Sequence, residues 1–263
     1  MNYKGIVFFD YDGTLADETE GIYYPTHATK EAISRLRQNG YLSVLATGRS
    51  LCYIPDVGVD FGGYVVSNGS YAEADGMEIY QNFIPTDDVK ELVDAFENMG
   101  LFYSMENQRK CYAKDVNEPI FKAMIDNFNI SADVFQNLNE GELPDISKLL
   151  VVYSSLDEHR HLSEMFKDKF TFAMHRKYLS ADVQPTWINK SVGARRLAEY
   201  FDINPENIYA FGDGTNDYEL LDFAGHGVAM EYHADVLDKV CEYVTDTVKN
   251  EGIYKALVHY GLI

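Results

Sequence analysis

Apolar residues along the chain fall into short blocks that alternate between strand-like and helix-like spacing. Gly5-Ile6-Val7-Phe8-Phe9 is apolar without alternation, which reads as a strand buried on both faces, as in a parallel sheet. Over 29–39, Ala32, Ile33 and Leu36 share one helical face, and Gly40 stands where a helix C-terminus is expected. Two further apolar runs, 42–46 and 64–66, read as strands. Strand, helix, strand at this spacing is a βαβ unit with a right-handed crossover. Asp75-Gly76, between two short runs in 70–83, predicts a hairpin turn.

The stretch 85–185 has its own rhythm. Helices are expected near 87–98, 118–128 and 157–167, and strands near 101–105 and 148–153, enough for a compact α/β domain. After Trp187 the earlier pattern resumes, with helices at 192–201 and 217–224 and strands at 208–211 and 227–230. The expected fold class is therefore α/β. A Rossmann-like, doubly wound parallel-sheet core is formed by 1–84 and 186–263, and 85–185 is an inserted α/β domain. Pro85 and Pro185, at the two junctions, are expected to stiffen short hinge-like linkers.

Composition narrows the function classes. The 263 residues are 46% hydrophobic and 24% charged, which rules out disorder, collagen and coiled coil as the main architecture. No apolar run approaches the roughly 18 residues of a membrane span, and the run before Asp10 is too short for a signal-peptide core. A cytoplasmic location is expected. Cys52, Cys111 and Cys241 have neither disulfide-framework nor zinc spacing and read as ordinary thiols. The formal net charge of −20 disfavours nucleic acid and anionic membranes as partners. Small anionic substrates remain compatible, because screening over ~8 Å lets a local cationic pocket outweigh a distant acidic surface. Nothing in the sequence signals an obligate protein partner.

Ligands of open parallel sheets bind beyond the carboxyl ends of the strands. Those ends read Asp10-Tyr11-Asp12-Gly13-Thr14, Thr47-Gly48-Arg49, Ser67-Asn68-Gly69 and Gly212-Asp213-Gly214-Thr215-Asn216-Asp217. Taken singly, each is ordinary: Asp-Gly is a common turn, Thr47 can cap a helix, and Lys190 can be a solvated side chain. Together they bring Asp10, Asp12, Asp213 and Asp217 to one rim. Two carboxylates ~4 Å apart repel by about 4 kcal/mol at an effective dielectric of ~20. Gathering four requires a cation or raised pKa values. Oxygen-only ligands favour a hard ion, with Mg²⁺ the natural choice. The glycines and Thr47 suit a phosphate cradle, so the set points to phosphoryl transfer.

Four ordered motifs resemble the haloacid dehalogenase superfamily in its Cof-type, class IIB branch: Asp10-Tyr11-Asp12-Gly13-Thr14-Leu15, Ala46-Thr47-Gly48-Arg49, Asn189-Lys190-Ser191 and Phe211-Gly212-Asp213-Gly214-Thr215-Asn216-Asp217. The endings Gly227-Val228-Ala229-Met230, Tyr243-Val244-Thr245-Asp246 and Glu251-Gly252-Ile253 are similar too, and 85–185 matches the position of this class's cap. The resemblance implies a Mg²⁺-dependent phosphoric monoester hydrolase of small phosphorylated metabolites. Asp10 would be the nucleophile forming an aspartyl-phosphate, and Asp12 the acid and base. The Asp10 carboxylate, the Asp12 carbonyl, Asp213 and Asp217 would serve the metal. Thr47, Gly48, Lys190 and Asn216 would hold the phosphoryl oxygens.

Two positions depart from the family pattern: Ser191, where glycine is usual, and Glu231-Tyr232-His233-Ala234, where Gly-Asn-Ala usually follows the Val-Ala-Met run. Candidate substrate-contacting cations in the insert are Arg109, Lys110, His175, Arg176 and Lys177. The alternatives are a phosphomutase using the same aspartate pair, or a non-catalytic phosphate-binding or signalling module. A receiver domain of the latter kind is about half this length and lacks both the insert and an Asp-x-Asp pair.

Overall fold

The computed structural model describes residues 3–127, 130–138, 143–175 and 178–263. In chain order, β1 (Gly5–Phe9), α1 (His27–Gln38), β2 (Tyr41–Ala46), β3 (Gly63–Val66), β4 (Tyr71–Ala74) and β5 (Met77–Gln81) come first. The middle of the chain forms α2 (Thr86–Asn98), β6 (Phe102–Glu106), β7 (Cys111–Ala113), α3 (Pro119–Asn127), β8 (Phe135–Asn137), β9 (Lys148–Val152), α4 (Leu156–Met165), β10 (Phe170–Met174) and β11 (Ser180–Pro185). The remainder forms α5 (Lys190–Phe201), β12 (Ile208–Gly212), α6 (Tyr218–Phe223), β13 (His226–Ala229), β14 (Tyr243–Val244) and α7 (Gly252–His259). Among the described residues, no helix is long and apolar enough to cross a membrane.

The chain divides into two compact units. The first comprises Met1–Arg49, Pro55–Gln81 and Asn189–Ile263, and the second Ser50–Ile54 and Asn82–Ile188. The first unit carries an eight-stranded sheet in the order β14-β13-β12-β1-β2-β3-β4-β5. Strands β14 through β3 are parallel, and β4 and β5 add an antiparallel edge. The unalternating run of β1 has its reason here: all five residues are buried, flanked by β12 on one side and β2 on the other. Strand order reverses at β1, which makes its carboxyl end a topological switch point where a crevice opens. The hairpin expected at Asp75-Gly76 forms between β4 and β5, with both residues at positive φ.

The second unit is a six-stranded sheet, β10-β11-β9-β6-β7-β8, antiparallel except for the β7–β8 pair. Val89, Leu92 and Phe96 of α2, with Leu162 and Phe166 nearby, pack against Tyr103, Met105, Leu149, Val151, Ala181 and Val183. By the two-residue period of a strand, Glu106, Lys148 and Asp182 point to the opposite face. There the Lys148 ammonium lies 2.7 Å from Glu106 and 3.0 Å from Asp182, and all three are almost fully buried. Burial alone would raise the Asp182 carboxyl, but Lys148 and His175 outweigh it and hold it far below the usual carboxylate range. Pro85 is the N-cap of α2 and Pro185 the last residue of β11, so both expected linker prolines close off regular elements.

A buried pair that loses one partner leaves an uncompensated charge. Lys148→Ala is therefore expected to lower the unfolding free energy by about 3–5 kcal/mol in urea titration. A loss below about 1 kcal/mol would show that water reaches this network.

Candidate active site

All eight residues singled out for chemistry lie in the first unit. Asp10 directly follows β1, and its N–H continues the parallel ladder by donating to Phe211 O at 3.0 Å. Thr14, Leu15 and Ala16 then turn their N–H groups onto Tyr11 O. Gly13 sits at φ +97°, and a Cβ there would fall 2.2 Å from an Asp213 carboxylate oxygen. Glycine is thus required for both conformation and space.

Lys190 is the first residue of α5, capped by Asn189, whose side chain accepts from Ser191 N–H. The Ser191 hydroxyl adds a second bond to the same Asn189 oxygen at 2.7 Å, so serine in place of the family glycine reinforces the cap. The fully buried Lys190 ammonium reaches Asp10 Oδ1 at 2.5 Å and Asp217 Oδ1 at 2.6 Å. The other Asp217 oxygen accepts from Asp213 N–H at 3.0 Å and Gly214 N–H at 2.9 Å. Asp10, Asp213 and Asp217, all buried, each offer an oxygen within 4.8 Å of the others.

One ammonium faces three buried carboxylates. Burial, then the charges of Asp217 and Asp213, push the Asp10 carboxyl well above its ordinary range despite the opposing pull of Lys190. Burial opposes the charge on Lys190, but Asp10 and Asp217 outweigh it and hold the ammonium protonated far above its ordinary range. An all-oxygen donor set with excess negative charge fits a hard divalent cation, which would offset that excess. Asp10, Asp213 and Asp217 are the residues that would hold it.

The Asp12 side chain is not part of this cluster. It meets the Arg49 guanidinium through two bonds, Nη2 to Oδ1 at 2.8 Å and Nε to Oδ2 at 3.0 Å. The Asp12 side chain remains 53% exposed, whereas that of Arg49 is 17% exposed and lies over the Tyr11 ring. Thr47 is buried after β2, its N–H bound to Val65 O, and its hydroxyl accepts from Arg49 N–H at 3.2 Å. Asn216 is exposed on the β12 side and donates to Asn68 Oδ1 at 3.3 Å. A Cβ on Gly48 would lie 2.9 Å from that same oxygen. The structure therefore brings Thr47, Gly48 and Asn216 together around Asn68.

Three residues without a role in the sequence reading emerge. Arg49 clamps Asp12, Thr14 donates to Asp213 at 3.1 Å, and Asn68 joins two strand ends from φ +50°. Each sits inside a strand-end run already noted, but its partner is distant in sequence. The departing Glu231–Ala234 loop is tied back by Ala234 N–H to Asp213 O at 2.8 Å, while His233 lies between Met230 O and Asp238. Among the candidate cations of the insert, Arg176 and Lys177 lie outside the described residues. Arg109 and Lys110 are exposed, Lys110 bonding Gln136, and His175 is engaged with Ser180 and Asp182.

A family model described as haloacid dehalogenase-like hydrolase matches residues 7–257, and the chain belongs to that family. Within it, the chain is one of the phosphatases, hydrolases of phosphoric monoesters. A Streptococcus pyogenes protein with the provisional name bifunctional phosphatase/peptidyl-prolyl cis-trans isomerase is 30% identical; the alignment covers 100% of this chain and 56% of that relative. The Bacillus subtilis 5-amino-6-(5-phospho-D-ribitylamino)uracil phosphatase YitU is 27% identical, with 97% of each chain covered. A solved structure described as the HAD subclass IIB sugar phosphatase BT4131 is 25% identical, with a TM-score of 0.84, covering 98% of this chain and 100% of that one.

The charge imbalance has a measurable consequence. A group whose folded pKa is raised binds extra protons in the native state, so its contribution to stability falls as pH rises from its unfolded pKa, ~3.9, toward the folded value. Metal-free protein should therefore lose stability from Asp10 as pH rises through that window, and Mg²⁺ should remove this slope. Asp213→Asn should raise the thermal midpoint of metal-free protein, by roughly 1 kcal/mol or more in stability, and abolish the Mg²⁺-induced shift. A destabilised metal-free variant would show that the three carboxylates do not repel one another as described.

Proposed function

We propose that the chain is a Mg²⁺-dependent phosphatase of small phosphorylated metabolites, sugar phosphates foremost, acting through an aspartyl-phosphate on Asp10. The observation that carries this reading is the buried Asp10–Lys190–Asp217 contact beside a separate Asp12–Arg49 pair. The two aspartates of one Asp-x-Asp motif occupy different environments, which fits different roles. Lys190, in contact with Asp10, favours its ionised form and holds it for attack on phosphorus. The ester oxygen leaves with a proton from Asp12, and Asp12 then takes a proton from the water that hydrolyses the aspartyl-phosphate. Bound Mg²⁺ would supply positive charge to the phosphoryl oxygens and offset the carboxylate repulsion. Thr47, the Gly48 N–H, Lys190 and Asn216 hold those oxygens.

The relatives' names support the substrate class: a phosphorylated ribityl compound for YitU and a sugar phosphate for BT4131. The core residues recognise only a phosphoryl group and a metal. We therefore assign selection among monoesters to an inserted cap, residues 85–185 of a chain whose catalytic core is 1–84 and 186–263.

A phosphate-release screen over phosphorylated metabolites, with Mg²⁺ and with EDTA, tests the reading. Free phosphate should appear from sugar monophosphates with Mg²⁺ and stop with EDTA. An isomerised sugar phosphate without free phosphate would instead identify a mutase, and full activity in EDTA would remove the metal from the account. Asp10→Asn should keep the fold and lose turnover by far more than tenfold; a loss within tenfold, a barrier change of only ~1.4 kcal/mol, would contradict the nucleophile assignment. Arg49→Lys replaces a two-bond clamp by a single point charge. It should slow alkyl phosphates, which need the general acid, by about tenfold more than a good-leaving aryl phosphate. Equal slowing of both would show that Arg49 does not act through Asp12.

A further inference from the structure

The second unit holds a pair of thiols that the phosphatase chemistry leaves unused. Cys52 lies in the 3-10 turn Leu51–Tyr53, just after Arg49 in sequence, and Cys111 opens β7. Their sulfurs are 3.7 Å apart, in van der Waals contact, although 59 residues separate them. Cys111 is buried and Cys52 half-buried, so a small oxidant meets Cys52 first. The third cysteine, Cys241, packs against the core of the other unit.

The surroundings fix this pair. Cys52 Sγ lies 3.9 Å from Asn107 O, and Cys111 Sγ donates toward Glu106 Oε2 at 3.8 Å. Glu106 is itself held by the Tyr53 hydroxyl at 3.2 Å and the Lys148 ammonium at 2.7 Å. The contact with Cys52, burial and the Glu106 charge push the Cys111 thiol far up, so it stays protonated and is not the first of the two sulfurs to react with peroxide.

We propose that Cys52 and Cys111 are a modification site: a dithiol that closes to a reversible disulfide under peroxide, ties the Leu51–Tyr53 turn to β7, and lowers turnover. The chemistry balances in two steps. Hydrogen peroxide oxidises the Cys52 thiol to a sulfenic acid, its O–O bond breaks, and one water leaves. Cys111 sulfur then attacks the Cys52 sulfur. The S–S bond forms and the S–OH bond breaks, and the hydroxyl leaves as a second water with the Cys111 proton, relayed by Glu106. Two thiols lose two electrons in total, and peroxide gains them. A thiol pair already in contact makes the second step faster than overoxidation of Cys52. The crosslink fixes the segment that continues from Arg49, the residue that clamps Asp12. The effect on turnover rests on the phosphatase reading, whereas the disulfide does not.

The test treats the purified full chain with hydrogen peroxide, alkylates remaining thiols and maps the digest by mass spectrometry. The expected product is one crosslinked peptide pair joining Cys52 to Cys111, two hydrogens lighter, with Cys241 alkylated and full reversal by dithiothreitol. Phosphate release from p-nitrophenyl phosphate should fall by at least about threefold and recover on reduction. Cys52→Ser should keep the untreated rate and lose the peroxide response, and Cys52→Ala should behave alike. A disulfide through Cys241, overoxidised Cys52 beside an alkylated Cys111, or a Cys52–Cys111 bond that leaves turnover unchanged would each overturn the proposal. Untreated protein that releases no phosphate would count against the phosphatase reading, while the peptide map alone still upholds or overturns the disulfide.

Discussion

A fully buried ammonium held between two carboxylates, Lys190 between Asp10 and Asp217, is the contact on which the rest of the site depends. An isolated charge at that depth would cost many kcal/mol, so the lysine is tolerable only while both partners stay in place. Its position follows from close backbone approach. Gly69, at φ +96°, has no room for a Cβ because Asn189 O would lie 2.1 Å away, and a Cβ on Gly193 would meet Val65 at 2.8 Å. Without these two glycines the start of α5 could not approach the end of β3, and Lys190 would not reach the switch point of the sheet.

That single cation leaves the cluster one-sided, and the imbalance gives the site its chemistry. Three buried carboxylates against one ammonium make a site that favours a hard divalent cation. Asp12 stands apart, half-exposed and facing a guanidinium. Two neighbouring residues of identical type are thereby placed in surroundings suited to an attacking carboxylate and to a proton carrier. The bulk charge of −20 does not oppose this, because at ordinary salt the site feels chiefly the groups within ~8 Å.

Much of this was legible in the sequence, for identifiable reasons. The unbroken apolar run of β1 and the helical stripe Ala32–Ile33–Leu36 gave parallel-sheet and crossover signals because both faces of the strand and one face of the helix are buried. The aspartates were legible because strand ends collect at one edge whatever the loops do, whereas Lys190, at the start of α5, was legible only through the resemblance of Asn189-Lys190-Ser191 to the family's lysine motif. The shortest strands were not: β7 and β8 are three residues each and β14 only two, too short to show a period. β10 does alternate, with Phe170 and Phe172 buried and Thr171 and Ala173 exposed, but it went unread among the polar residues around it. The Arg49–Asp12 and Thr14–Asp213 bonds join residues 37 and 199 positions apart, and no local pattern encodes such partners. The Cys52–Cys111 contact escaped for the same reason, since spacing alone made both look like ordinary thiols.

The central claim is that Asp10 takes the phosphoryl group from substrate. Acid-quenching the enzyme during turnover of a sugar phosphate, reducing it with borohydride and sequencing the peptides by mass spectrometry tests this directly. An acyl phosphate is reduced to an alcohol, so the account predicts homoserine in place of aspartate at position 10, absent from unreacted enzyme. A reduced or phosphorylated residue at any other position, with Asp10 untouched during rapid turnover, would contradict it.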